Sequence, residues 1–237
     1  PSGLPGTKDK YVLYGRNLPG STPAKDLATD GRPLDQLEVE IELPRDLASR
    51  RQLSASQKPA DATLDAFEYR LIAPPRVSNP VLLSLATGPV VPERQPNDQP
   101  AQAQSIAPPC EVVGQFFPQG DRDWFTFDGK KGDVYWVEVF SQRLGLPTDP
   151  FALIQRVSKN EKGEEQVSDV TELYDTDSNI GGAEYKTATR DPSSRFEAAE
   201  NGTYRIQVRD LFNRSQADPR LVYRLSIRKE TPDFRLV

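Results

Sequence analysis

The 237-residue sequence contains no histidine, no methionine and a single cysteine, Cys110. Without histidine there is no Ser-His-Asp or Cys-His nucleophile system. One cysteine with no histidine excludes a zinc site of the ordinary His/Cys kind. One cysteine also cannot close an intrachain disulfide. Long apolar runs are missing: stretches such as Val81-Leu82-Leu83 fall far short of the ~20 residues that cross a bilayer as a helix. The opening PSGLPGTKDK lacks the apolar segment of a signal peptide. A sequence that starts on proline and holds no methionine reads as a piece of a longer protein. Positive charge is not in excess either. There are 30 Lys and Arg against 35 Asp and Glu, net −5. The first 90 residues carry 11 basic and 11 acidic groups, the rest 19 and 24. With no basic surface, nucleic acid is not an expected partner.

Proline is what the sequence has in excess, at 22 residues. It gathers where strand patterning stops, at 18–23, 73–80 and 89–100, as expected of a residue without a backbone donor. Between those breaks the pattern has period two. Leu37-Glu-Val39-Glu-Ile41-Glu-Leu43 places apolar groups on one side and three glutamates on the other, a half-buried antiparallel strand. Tyr204-Arg-Ile206-Gln-Val208-Arg209 and Tyr223-Arg-Leu225-Ser-Ile227-Arg228 repeat it. Residues 133–140 (DVYWVEVF) are apolar on both sides and predict a central strand. Asn201-Gly202 predicts a tight hairpin turn, and Asp128-Gly129-Lys-Lys-Gly132 a longer hairpin loop. No segment sustains a 3.6 period; the best helical candidate is a short turn within 44–53. Many short strands with regular turn signals predict an all-β chain of sandwich or barrel type. The stretch 88–109, GPVVPERQPNDQPAQAQSIAPP, is the clearest boundary. We therefore expect two tandem β-sandwich domains: residues 1–90, a Pro-rich linker at 91–109, and residues 110–237.

From Glu93 onward a series of motifs occurs in order. Glu93-Arg-Gln95-Pro96-Asn97-Asp98 comes first, followed by Val113-Gly114 and then Gly120-Asp121-Arg-Asp123-Trp124-Phe125-Thr-Phe127. Lys131-Gly132, Arg143-Leu-Gly145-Leu-Pro147-Thr-Asp149 and Asn201-Gly-Thr-Tyr204-Arg-Ile-Gln-Val208-Arg-Asp210 follow, then Tyr223-Arg224-Leu225. This set resembles the bacterial pre-peptidase C-terminal (PPC) domain, and the tail Pro232-Asp233-Phe234 resembles endings of its planctomycete-type versions. More weakly, Tyr11-Val-Leu-Tyr14-Gly15-Arg-Asn17-Leu18 and Ser78-Asn79-Pro80-Val81 resemble an Ig-like TIG (IPT) domain. The resemblances imply an Ig/TIG-like sandwich followed by a PPC, jelly-roll-like one. They also imply a non-catalytic accessory, binding or adhesion module of a secreted, periplasmic or cell-surface bacterial protein. Its partners would be an extracellular polymer or protein surface, or neighbouring domains or subunits. A structural subunit of an extracellular layer or complex is the first alternative. A fragment of a secreted peptidase, with its catalytic domain elsewhere, is the second.

No catalytic residue is assigned, because nothing in the sequence holds two carboxylates at the separation that hydrolytic chemistry needs. No cofactor is required. Calcium is the one candidate, since it takes several hard oxygen ligands. Asp121 and Asp123 flank a turn and offer two carboxylates. Asp175-Thr-Asp177-Ser-Asn179 has the spacing of a calcium loop but lacks the EF-hand glycine and glutamate, with Ile180 and Lys186 in those places. In the linker motif, Glu93, Asn97 and Asp98 match positions near which some collagen-binding relatives hold calcium, although Gln95 replaces the second glutamate of the family. The acidic run 161–177 reads as a solvated face. Trp124, Tyr135, Trp136 and Phe140 read as core rather than as a carbohydrate platform. Cys110 reads as a small buried apolar group. The sequons at Asn201 and Asn213 carry little weight, and the first is better explained as a turn.

Overall fold

A computed structural model describes residues 1–29, 31–45, 64–212 and 218–231. The helical turn expected within 44–53, the sequon at Asn213 and the tail from Pro232 lie outside the described residues, save Pro44 and Arg45. Strands are numbered in chain order.

The N-terminal part forms two three-stranded sheets. One has the order β1 (Ser2–Gly3), β8 (Val81–Leu85), β5 (Ala66–Tyr69). The other is β2 (Lys8–Gly15), β4 (Arg32–Glu42), β3 (Thr22–Thr29). The alternation from Leu37 to Leu43 explains how they pack. Ile41 and Leu43 turn inward with Phe67, Leu83 and Leu85, flanked by Tyr11, Val39 and Tyr69. On the wet side, Glu38 and Glu40 pair with Lys10 and Lys8 of β2, at 2.8 and 2.6 Å. A two-stranded ribbon, β6 (Ile72–Ala73) and β7 (Arg76–Val77), accompanies this unit.

The C-terminal part is a sandwich of two five-stranded sheets. The first has the order β10 (Gln104–Ser105), β12 (Asp123–Gly129), β17 (Gly202–Asp210), β14 (Pro150–Lys159), β15 (Glu165–Leu173). The second has β16 (Ser193–Glu197), β13 (Val134–Phe140), β18 (Val222–Lys229), β11 (Cys110–Gln115), β9 (Val90–Pro92). The inward sides of the alternating segments meet as expected: Val137, Val139, Tyr204, Ile206, Val208, Tyr223, Leu225 and Ile227 are all buried in one core. Phe127, Tyr135, Phe196 and Tyr204 stack or meet edge to face with centroids 5.2 to 6.3 Å apart. Trp124 is buried, and Trp136 lies half-buried below the Arg228 guanidinium. Cys110 is buried, and burial pushes its thiol up to about 11, which leaves it protonated and inert.

Two connections differ from the sequence expectation. Asn201-Gly202 joins β16 to β17, and Asp128–Gly132 joins β12 to β13; in each case the two strands belong to opposite sheets. Both turns therefore cross the sandwich and close no hairpin. They brace each other, because the Lys131 N–H donates to Asn201 Oδ1 at 2.8 Å. The Pro-rich stretch expected as a linker is also laid onto the sandwich. Val90, Val91 and Pro92 pair in parallel with Glu111, Val112 and Val113, while Gln104 and Ser105 pair with Phe125 and Thr126. A proline suits the edge position of β9, whose outer side needs no donor.

The two units share a contact. Phe140 and Leu144 pack with Leu64 and Ala66, and Leu82 and Leu146 flank them. Beside this cluster lies a buried ionic network. Asp191, fully buried, accepts hydrogen bonds from the N–H groups of Ser141, Gln142 and Arg143 at 2.9, 2.7 and 3.0 Å, and from Arg143 Nε at 2.8 Å. Arg143 also pairs with Glu138, and Arg224 Nε lies 2.6 Å from Glu111 Oε2. Both guanidiniums lie over the Phe140 ring, 4.2 and 4.3 Å from its centroid. From this network Arg224 reaches the Leu85 carbonyl, and Glu111 accepts the Thr87 N–H.

Candidate cation site

The motif residues Glu93, Asn97 and Asp98 and the turn residues Asp121 and Asp123 lie about thirty positions apart at most in sequence, and the fold joins them in one place. The parallel pairing of β9 with β11 carries the chain to Glu93 at the sandwich edge. The Trp124 N–H, at the start of β12, donates to the Asn97 carbonyl at 2.9 Å and holds the Pro-rich segment against that strand. Asp123 is the first residue of β12, and Asp121 ends the turn before it, where its own N–H reaches the Pro118 carbonyl. Carboxylate oxygens of Glu93, Asp121 and Asp123 then lie within 4.8 Å of one another. Among the described residues this is the only trio of acids so close.

The polar environment supplies hydrogen-bond donors. Tyr223 donates its hydroxyl to Asp123 Oδ2 at 2.7 Å, and the Gln95 amide donates to Glu93 Oε1 at 2.6 Å and Asp123 Oδ1 at 3.4 Å. The N–H of Gln115 donates to Glu93 Oε2, and those of Phe117 and Arg122 to Asp121. Asp98 contacts Asp121. Asn97 is fully buried, yet neither its Oδ1 nor its Nδ2 has a partner. Removing water, with the neighbouring negative charge of Asp98 and Glu93, pushes the Asp121 carboxyl up to about 8. Burial first, then Glu93 and Asp121, push Asp123 up to about 10. Burial and the same acids raise the Tyr223 hydroxyl well above its ordinary value.

A calcium ion fits this set. The donors are oxygens only, which suits a hard cation. Three carboxylates that repel one another would be neutralised, and Asn97 Oδ1 is a buried acceptor with nothing to accept from. Glu93, Asp121 and Asp123 would hold the ion, with Asn97 and Asp98 beside it. The group does not resemble an acid–base pair facing a substrate. Between the two units lies an open cleft of about 730 Å³, walled by Tyr11, Tyr14, Val90, Val113 and Phe117; Glu93 and Gln95 reach it, but Asp121 and Asp123 do not.

Two participants escape sequence reasoning. Tyr223 appears only as part of an alternating strand. Gly114 appears only as a motif glycine, yet a Cβ there would sit 2.5 Å from Glu93 Oε2 and from the Tyr223 ring and hydroxyl. Gln95, a lost charge in the sequence motif, bridges two of the acids with its amide. The Asp175–Asn179 stretch is not gathered into one site. Asn179 is occupied in its own loop, accepting from the Thr187 N–H and donating to the Gly182 carbonyl. Asp177 is exposed, and Asp175 faces Asp149 instead.

A search of the curated proteins finds no match. Three solved structures are similar. The pre-peptidase C-terminal domain of a Bacillus anthracis collagenase aligns at 14% identity and TM-score 0.37, over 56% of this chain and 100% of that one. A surface-associated copper-binding protein, CorA, of Methylomicrobium album BG8 aligns at 9% identity and TM-score 0.33, over 54% and 98%. A periplasmic inhibitor of g-type lysozyme, PliG, of Aeromonas hydrophila aligns at 16% identity and TM-score 0.30, over 59% and 96%. Residues 121–210, running from the first aspartate of the acid group to the end of β17, match the family model of the bacterial pre-peptidase C-terminal domain, typically a non-catalytic accessory domain of secreted proteins such as peptidases.

Proposed function

We propose that this chain is a non-catalytic binding module of an exported bacterial protein, with an Ig-like N-terminal unit and a PPC sandwich whose lead-in segment is clamped by calcium. The observation that carries the reading is the acid trio of Glu93, Asp121 and Asp123 beside the unpartnered Asn97 amide. Glu93 and Asn97 come from the start of the Pro-rich segment, and Asp121 and Asp123 from the turn into β12. An ion there would pin residues 93–98 to the sandwich and so fix the wall of the cleft that Glu93 shares with Tyr11, Tyr14 and Phe117. Rigid sheets that present aromatic side chains along an open cleft suit a long, repetitive surface such as a polysaccharide or a fibrous protein. A match to a family of accessory domains of secreted proteins supports an exported setting. No helix among the described residues is long and apolar enough to cross a membrane.

Co-sedimentation tests the reading. The chain is mixed with insoluble peptidoglycan, polysaccharide and fibrillar protein in millimolar calcium or in EDTA. We expect retention by one of these in calcium, reduced at least severalfold in EDTA and by Tyr14→Ala. Absence of retention by every polymer under both conditions would reject a binding role and favour the alternative of a structural subunit.

A further inference from the structure

The cleft between the two units is bordered by two sheet edges, and one of them carries an unused row of main-chain groups. β2 ends the sheet β2-β4-β3 and pairs on one side only. Its pairing starts at a bulge. The N–H of Gly6, a residue at φ 74°, donates to the Leu43 carbonyl at 2.8 Å, and the Leu43 N–H donates to the Thr7 carbonyl at 2.8 Å. Bonded pairs alternate along an antiparallel ladder, so with Lys8 opposite Glu42 the bonded residues of β2 are Asp9, Tyr11, Leu13 and Gly15. The far side of β4 agrees: Pro23, which has no N–H, stands opposite Asp35, the partner of Gly15. Lys8, Lys10, Val12 and Tyr14 therefore turn their N–H and C=O groups away from β4. Among the described residues no bond from outside the ladder engages them. The row repeats every second residue, about 7 Å, which is the repeat of an extended peptide.

Lys10, Val12 and Tyr14 line the 730 Å³ cleft, and Val90 and Pro92 of β9 line it too. β9 is likewise the last strand of its sheet, but it offers much less. The Glu111 N–H bonds the Pro89 carbonyl and the Glu93 N–H bonds the Val113 carbonyl, so only Val90 and Pro92 point outward. Pro92 has no N–H, and its carbonyl accepts the Gln104 amide at 3.0 Å. A ligand's main chain would bond to β2. Side chains narrow the choice further. Val12 is 51% exposed, on the same face as Lys8, Lys10 and the half-buried Tyr14. Lysines guard an edge against a second apolar strand, and the second half of β2 has none. Of the charged groups lining the cleft, Asp9 accepts the Thr7 hydroxyl, and Glu93 accepts from the Gln95 amide and the Gln115 N–H. Lys10 shares only an exposed pair with Glu38, and Lys8 one with Glu40, pairs of little worth. Positive charge is what this edge offers a partner.

We propose that the cleft takes an extended peptide, which joins the outer side of β2 as an added antiparallel strand. Main-chain bonds to Lys8, Lys10, Val12 and Tyr14 give the affinity. Alternate side chains give the selectivity: apolar residues opposite Tyr14 and Val12, then acidic residues opposite Lys10 and Lys8. This names the ligand class of the cleft described above and rests on the binding-module reading.

Fluorescence anisotropy of the full chain with a labelled peptide, TVTVTETE, in millimolar calcium tests this. We expect saturable binding. N-methylation of the two valines, whose N–H groups face β2 in this register, should weaken it about tenfold or more, the loss of one or two ordinary hydrogen bonds. N-methylation of the threonines on either side of the second valine, whose N–H groups face away, should change it little. Val12→Pro removes an outward N–H that the native ladder does not use, so it should fold and bind at least about tenfold more weakly. Val12→Lys, at an exposed position, keeps the main chain and should weaken binding severalfold, with melting temperature and circular dichroism showing that each variant is folded. Equal binding of the two N-methylated peptides would overturn the proposal, as would unchanged binding in both Val12 variants. Retention by an insoluble polymer without any binding of the peptide would overturn it and leave the module reading in place; absence of both would reject both. A concentration-dependent dimer that Val12→Pro abolishes, with no peptide bound, would assign the edge to a second copy and overturn it too.

Discussion

Asp191→Ala removes the acceptor at the centre of the buried ionic network that lies beside the inter-unit contact. In the native protein its two oxygens accept three backbone N–H groups at 2.7 to 3.0 Å and the Arg143 Nε at 2.8 Å, with no exposed surface. Truncation takes one carboxylate partner from the buried Arg143, which also pairs with Glu138, and strands three backbone donors in the turn from Ser141 to Arg143. Breaking a buried ion pair by deleting one partner costs about 3–5 kcal/mol. Each stranded donor adds about 1–3 kcal/mol unless water enters or the turn relaxes. These contributions overlap, so a net loss of about 5 kcal/mol is expected, or roughly 10–20 °C in Tm at 2–4 °C per kcal/mol for a chain of this size. Urea unfolding followed by far-UV circular dichroism and by tryptophan fluorescence measures it. Arg143→Met should cost less, because it removes the buried charge along with its pairing. The double variant should be much milder than the sum of the two. A loss below about 1 kcal/mol for Asp191→Ala, or strict additivity of the two changes, would refute the reasoning.

The remaining predictions concern the cation site and the core. In the metal-free protein Asp121 and Asp123 have carboxyls held at about 8 and about 10, above the ordinary 3.8. Their contribution therefore favours folding in acid and is lost as pH rises through those values, so the metal-free chain should melt lower at pH 8 than at pH 5. Calcium must displace those protons, so its stabilising effect should be larger at pH 8 than at pH 5; an equal effect at both would count against carboxylate ligation. Gly114→Ala forces a methyl group to 2.5 Å from Glu93 Oε2 and Tyr223. It should destabilise by about 1–3 kcal/mol and weaken calcium binding, as seen by melting and calorimetry. Cys110 should resist a water-soluble disulfide reagent in the native protein and react on unfolding in urea. Fast native labelling would mean that the core around β11 opens readily.

Strand identity was legible from the alternation of apolar and polar residues, although the polar side of the Tyr223–Ile227 strand is covered rather than wet, with Arg224 and Ser226 buried. Leu37–Leu43, Tyr204–Val208 and Tyr223–Ile227 all keep their predicted faces, and the doubly apolar 133–140 segment lies inside its sheet, between β16 and β18. Sheet membership was not legible. A turn such as Asn201-Gly202 bends the chain back whether the next strand pairs with the last or faces it across the core, and only the tertiary packing of Phe127, Phe196 and Tyr204 decides. The Pro-rich stretch read as a connection because proline depresses strand pattern, yet two short edge pairings need few donors and occur within it. For the candidate site, every acid was picked out by residue type, but as two unrelated groups. Glu93 meets Asp121 and Asp123 only because β9 pairs in parallel with β11, a register that leaves no local trace.

The most direct test of the calcium-clamped module is thermal unfolding of the full chain at pH 7.5 in EDTA against saturating calcium. At a hundredfold excess over the dissociation constant, one site on the folded state stabilises by about 2.7 kcal/mol. That corresponds to a rise in Tm of roughly 5–11 °C. The rise should fall by at least half in Asp123→Asn. Identical melting temperatures in EDTA and in calcium would contradict a structural ion at Glu93, Asp121 and Asp123.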